Sequence, residues 1–141
     1  MNTTIEKFGY PATLVAQYEH WVVLLRPAQP TLGSLVLAAR SEALAFGDLP
    51  REAHADLKQA TSDIERVLGG FVAYEKLNYL MLMMVDPHVH FHVIPRYAGE
   101  RSFAGMTIAD AGWPKVPDLS IATTLDDAQT EALVGELKSR W

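Results

Sequence analysis

The apolar positions of this chain form short alternating runs and one long helical stripe, and prolines and glycines mark where one pattern gives way to the next. Two β-prone runs, Thr13-Leu14-Val15-Ala16 and Trp21-Val22-Val23-Leu24-Leu25, flank the polar Gln17-Tyr18-Glu19-His20 and predict a hairpin. Arg26-Pro27-Ala28-Gln29-Pro30-Thr31-Leu32-Gly33 carries two prolines and a glycine and predicts a loop, after which residues 34–38 resume as a strand. Asp48-Leu49-Pro50 predicts a helix start, with Asp48 as the capping acid and a proline in the first turn. From there to about Phe71, Leu57, Ala60, Ile64, Val67, Leu68 and Phe71 recur every three or four residues as one apolar stripe. Gly69-Gly70 marks its stop.

Residues 76–85 form a long, weakly alternating apolar run that predicts a central strand covered on both faces, with Met81, Met83 and Met84 as core filling. Asp86-Pro87 would turn it directly into a second strand, His88-Val89-His90-Phe91-His92-Val93-Ile94, as its antiparallel neighbour. Pro95 then either ends the pairing or sits where no ladder bond is needed. Residues 98–120 read as an irregular loop, and Thr124-Leu125-Asp126-Asp127 resembles a capping box opening a helix through Leu133, Val134 and Leu137 to Trp141. Residues 1–11 read as a poorly structured lead-in that covers little. The order β-β-β-α-β-β-α predicts an α+β fold, an antiparallel sheet of about five strands with two main helices on one side.

Composition narrows the class of function more than the fold. A chain of 141 residues fits one domain, 1–141, that can bury a core without staples. Twelve basic residues are scattered among seventeen acidic ones and the net charge is -5, so the clustered Lys/Arg footprint of a nucleic-acid polymer binder is missing. There is no cysteine, which excludes disulfides and thiolate metal sites. The start of the chain lacks the basic and apolar regions of a secretory signal, and no apolar run reaches the ~18 residues of a membrane span. Cytoplasmic is the expected location.

The candidate chemistry sits in residues 86–97. Three of the five histidines lie within five residues, alternating with Val89, Phe91 and Val93, so a strand would place three imidazoles on one face. At about 3.3 Å per residue, His88 and His92 would be roughly 13 Å apart at Cα, too far for all three to hold one tetrahedral metal. A His-x-His pair with a third ligand from His20, Asp86 or Glu100 is the metal-binding alternative. The stronger reading makes one imidazole a nucleophile toward phosphorus or an acyl carbon, because its ordinary pKa of about 6.5 leaves it neutral near neutral pH. Its neighbours would align it and serve the leaving group. Arg26, Arg40, Arg96 and Arg101 are candidates for phosphate contact, with Arg96 favoured for its place on the motif strand.

The run His88-Val89-His90-Phe91-His92-Val93-Ile94, followed by Pro95-Arg96, resembles the motif of the histidine triad family of nucleotide hydrolases and transferases, with the hairpin, Pro/Gly loop and amphipathic helix ahead of it in the family's order. The resemblance spans about residues 13–97, leaving 98–141 as a less diagnostic tail. It implies His90 as nucleophile on the α-phosphorus of a nucleoside phosphoramidate or dinucleoside polyphosphate, through a covalent phospho-histidine. It also implies His92 at the phosphate and leaving group and His88 in orienting His90, partly through its backbone carbonyl. A small-molecule nucleotide substrate, a homodimer and no protein-bound cofactor follow from the same resemblance. The chain departs from the family at Gly33-Ser34, where many members have Gly-His. Val85-Asp86-Pro87 replaces a polar, Gly-rich segment, and Leu25 replaces a ribose-site Asn. Ser34 and Asp86 are therefore the candidate replacements in substrate binding, beside Arg96. A nucleotide-binding protein of the same fold without catalysis is the other reading these departures leave open.

Overall fold

The computed structural model describes residues 1–141. In chain order, α1 (Thr3–Lys7) precedes β1 (Leu14–Gln17), β2 (Trp21–Leu25), β3 (Ala28–Gln29) and β4 (Leu35–Ala39). A 3₁₀ turn (Phe46–Asp48) leads into α2 (Arg51–Val72), followed by β5 (Lys76–Leu80), β6 (His90–Arg96), β7 (Glu100–Phe103), β8 (Met106–Ala109), β9 (Thr123–Thr124) and α3 (Asp127–Arg140). The fold is α+β. Five strands form one antiparallel sheet in the order β1-β2-β4-β6-β5.

The period-two pattern decides what each face of this sheet meets. Trp21, Val23 and Leu25 of β2 and Leu35, Leu37 and Ala39 of β4 point to one side, where they join Ala60, Ile64 and Leu68 of α2 and Leu133 and Leu137 of α3 in the main core. The helical stripe and the strand alternation thus close on each other, and apolar area removed from water at roughly 25 cal/mol per Å² is the main favourable term. The alternate residues, Val22, Leu24, Val36 and Ala38, face the other way and meet Ile5 of α1. A five-residue helix has no stability of its own. It persists because Asn2 caps it at the Ile5 amide (3.0 Å), donates its side-chain amide to the Ala39 and Ser41 carbonyls (2.9 Å each), and Ile5 is wholly buried.

Several expectations are corrected. The N-terminal residues are an integral layer rather than a loose lead-in. Residues 76–85 are not a central strand: β5 lies at the sheet edge and ends at Leu80. Its register with β6, Leu80 opposite His92, leaves residues 81–89 as a looping connection, longer than the tight Asp86-Pro87 turn. Met84 and Val85 are 84% and 80% exposed, so this methionine run does not fill the core as a unit. At α2 the N-cap is Pro50 with no side-chain cap, while Asp48 is spent in the 3₁₀ turn. Gly69-Gly70 does not stop the helix, which runs to Val72 and ends on left-handed Ala73. The predicted irregular loop contains the β7/β8 hairpin, closed by Ala104 and Gly105 with φ of 50° and 80°, the left-handed pair a two-residue turn requires. At α3 the capping box is formed by Asp126 and Gln129, two residues later than predicted from Thr124. Pro95 lies within β6 opposite Leu77, past the last pairing with β4 at Val93.

Candidate active site

β6 sits between β4 and β5, and its register sets the histidines on the α1 side. His90 pairs with Ala38 and His92 with Val36, the residues that face Ile5, while Val93 turns into the main core. All three histidines are buried. His90 Nδ1 lies 2.7 Å from the His88 carbonyl oxygen. A carbonyl only accepts, so the proton is on Nδ1 and the Nε2 lone pair is left free, the tautomer a nucleophile needs. Phe8, just past α1, stands against both rings, with centroids 5.6 Å from His90 and 5.8 Å from His92.

His92 has the opposite tautomer. Arg26 Nε, which cannot accept, donates to His92 Nδ1 at 3.3 Å, so the neutral ring carries its proton on Nε2. Burial, then the Arg26 charge and then His90, push the His92 pKa down to about 4, against a smaller opposing pull from Asp86. At neutral pH this ring is an uncharged hydrogen-bond donor. Burial also lowers the Arg26 pKa, without taking it out of its charged form. Its Nη1 is tied to the Ala28 carbonyl, which fixes the direction of the guanidinium fork.

His88 lies just before β6, and its ring is held between Thr4 of α1 and Glu42 of the segment after β4. Its backbone N–H donates to Thr4 Oγ1 at 3.2 Å, and that hydroxyl lies 2.9 Å from His88 Nδ1. Glu42 Oε2, which only accepts, lies 3.1 Å from His88 Nε2, so the ring carries a proton there and Nδ1 of the neutral ring accepts from the Thr4 hydroxyl. His88 is therefore pinned by α1, while the peptide whose carbonyl orients His90 is held through its Val89 N–H, which donates to the Ala43 carbonyl at 3.2 Å.

A cleft of about 350 Å³ opens at His90 and His92, walled by Lys7, Phe8 and Arg26 on one side and by residues 82–86 on the other. Asp86 stands at its rim, 2.7 Å from Lys7 Nζ. The structure brings together His90, His92, Asp86 and Arg26 and holds His88 behind them. It does not bring Arg96 or Ser34 there. Arg96, four residues beyond His92, binds Asp110 through two bonds of 2.6 and 3.1 Å and Asn78 through a third of 2.9 Å. Ser34 is buried in the loop before β4, bonded to Thr31. Among the arginines, Arg26 takes the place at the cleft for which Arg96 was favoured. Thr4, Lys7 and Phe8 escape a sequence reading, although Asn2 with Ile5 and Phe8 three apart is a faint capped-helix signal. No group of three or more His, Asp or Glu side chains converges in a geometry that could hold a metal ion.

No family model and no curated protein matches the chain. Solved structures do. A histidine triad protein from Sinorhizobium meliloti superposes with a TM-score of 0.76 at 18% identity, covering 100% of this chain and 96% of that one. A histidine triad protein from Bradyrhizobium japonicum gives 0.71 at 18% identity, over 99% and 96% of the two chains. The diadenosine triphosphate hydrolase of Plasmodium falciparum gives 0.69 at 13%, over 96% and 92%. At such identities the likeness is one of fold.

Proposed function

We propose that this chain, which has the histidine triad fold, is a nucleotide hydrolase or nucleotidyl transferase whose His90 attacks the α-phosphorus of a nucleoside phosphoramidate or dinucleoside polyphosphate. The observation that carries this reading is the 2.7 Å bond from His90 Nδ1 to the His88 carbonyl, which leaves the Nε2 lone pair at the cleft containing the His92 N–H and the Arg26 guanidinium. In the first step Nε2 forms a bond to phosphorus and the bond to the leaving group breaks, giving a phospho-histidine. Water then attacks phosphorus in the second step, and the nitrogen–phosphorus bond breaks to release the nucleoside monophosphate and free His90. His92 and Arg26 donate toward oxygens on which negative charge develops, the effect that usually dominates such catalysis. A nucleotide substrate is further supported by the neighbour that hydrolyses diadenosine triphosphate.

The apolar connection at residues 82–85, exposed at Leu82, Met84 and Val85 where a polar segment would serve the leaving group, favours a second reading in which the cleft binds a nucleotide without cleaving it. Wild type and His90→Ala, assayed for release of adenosine monophosphate from diadenosine triphosphate and from an adenosine phosphoramidate, decide between them. Removing the nucleophile is expected to lower turnover by about 10³-fold or more. Equal, background rates for both proteins on both substrates would leave only the binding reading.

A further inference from the structure

The cleft contains one histidine arranged to attack and one arranged not to give up its proton. The groups packed on His92 argue, with one exception, against an imidazolium there. Arg26, from the corner after β2, places a cationic N–H on Nδ1, so protonating Nδ1 would set two N–H groups against each other. His90, on the same strand, presents its ring edge-on at 5.2 Å between centroids. Phe8 offers only carbon. Asp86, from the connection before β6, is the one nearby carboxylate, and it is paired with Lys7 from α1. One cation thus stands on His92, and the single carboxylate nearby is offset by Lys7, in a buried position that itself disfavours charge.

We propose that Arg26 is a positioning residue that holds His92 as a neutral Nε2–H donor and so restricts the site to anhydrides, α-phosphoryl bonds whose leaving group departs as a stable anion. The proposal rests on His90 being the nucleophile. When His90 Nε2 bonds to phosphorus in an anhydride, the bridging phosphorus–oxygen bond breaks and its electron pair stays on a departing phosphate or carboxylate oxygen. That oxygen needs no proton. His92 steadies it with a hydrogen bond and keeps its own hydrogen. An amine leaving a phosphoramidate, or an alkoxide leaving a simple ester, must take up a proton as its bond breaks. A neutral imidazole cannot supply one, since doing so would leave an imidazolate. The depressed His92 pKa of about 4 agrees with this arrangement. Lys7 and Arg26 at the cleft wall suit a leaving group that gathers negative charge.

The test uses the full chain and two adenosine 5′-phosphoryl probes, diadenosine triphosphate and an adenosine n-alkylphosphoramidate. Without general-acid help, kcat/KM on the amidate is expected to fall about 100-fold or more below that on the anhydride. In Arg26→Met the preference is expected to shrink at least about tenfold, because His92 regains access to its protonated form. Imidazole ¹⁵N NMR of wild type and variant supplies a readout that a merely structural role would not move. Wild-type His92 should show the Nε2–H tautomer at neutral pH and remain neutral to about pH 5, while the variant titrates higher. Amidate turnover within tenfold of the anhydride, or a wild-type His92 that is protonated or Nδ1–H at neutral pH, overturns the proposal. Inactivity on both probes with the Nε2–H tautomer intact instead refutes the hydrolase reading, and the leaving-group preference falls with it.

Discussion

Replacing Thr4 by valine isolates the link between α1 and the histidine strand. The change conserves shape and removes one hydroxyl, which accepts from the His88 backbone N–H at 3.2 Å and donates to His88 Nδ1 at 2.9 Å. Both residues are buried, and the His88 amide makes no hydrogen bond other than the one to Thr4. An unsatisfied buried donor or acceptor costs about 1–3 kcal/mol, so the two together predict a loss of about 3 kcal/mol, with the ring nitrogen contributing the smaller share because a tautomer change can partly relieve it. For a chain of this length that is a fall in Tm of roughly 10 °C. Thr4→Ser keeps the hydroxyl and deletes one methyl group, and should cost only about 1 kcal/mol. Urea unfolding followed by tryptophan fluorescence measures both, since Trp21 is fully buried in the main core. If Thr4→Val and Thr4→Ser unfold at the same midpoint, the hydroxyl does not clamp His88 and the account of how α1 pins that residue is wrong.

Two further outcomes follow from the charged and titrating groups. Asp110→Ala leaves the Arg96 guanidinium, 3% exposed, without its bidentate partner and should destabilise the fold by about 3–5 kcal/mol; an Arg96→Met/Asp110→Leu double variant should recover much of that loss in the same urea assay, and a single variant as stable as wild type would refute the pairing. His92 is held below its ordinary pKa, so between about pH 6.5 and pH 4 the unfolded chain binds the proton that the folded one refuses. Its contribution is flat at higher pH and is lost as pH falls through that window, by about 1–2 kcal/mol once solvent screening is allowed for. The difference in unfolding free energy between wild type and His92→Asn, measured from pH 8 to pH 4, should show that slope, and a pH-independent difference would contradict it.

The alternation of Trp21-Val22-Val23-Leu24-Leu25 and of His88 to Ile94, together with the Leu57 to Phe71 stripe, was enough to read an antiparallel sheet with helices on one face. These signals are local and periodic, and burial simply follows the period. Elsewhere tertiary pairing overrides composition. Residues 81–85 are apolar enough for a core strand, but the register of β5 on β6 ends at Leu80, so Leu82, Met84 and Val85 stand exposed at the rim of the cleft while Met81 and Met83 pack partly on the core. Residues 100–109 hide a hairpin because its turn is Ala104-Gly105 in place of a residue pair that favours left-handed backbone. Residues 1–8 look polar and short, and gain structure only from the sheet face that Ile5 covers.

The site divides along the same line. The sequence alone determined which strand bears the imidazoles, that His90 and His92 share a face, and that the motif resembles the histidine triad, because a strand's period and a motif's spacing are properties of neighbouring residues. Only the tertiary structure decided which arginine reaches them. The motif strand favours Arg96 in sequence, but Asp110 claims Arg96 from a segment fourteen residues away, and the corner after β2 delivers Arg26 to His92 Nδ1. It alone decided two of the tautomers, since those protons are placed by groups elsewhere, Arg26 for His92 and Glu42 for His88, while His90 is set by the neighbouring His88 carbonyl that the motif itself implies. Residue types set what each histidine is able to do, and hydrogen bonds, local for His90 and long-range for His92 and His88, set which nitrogen is free to do it.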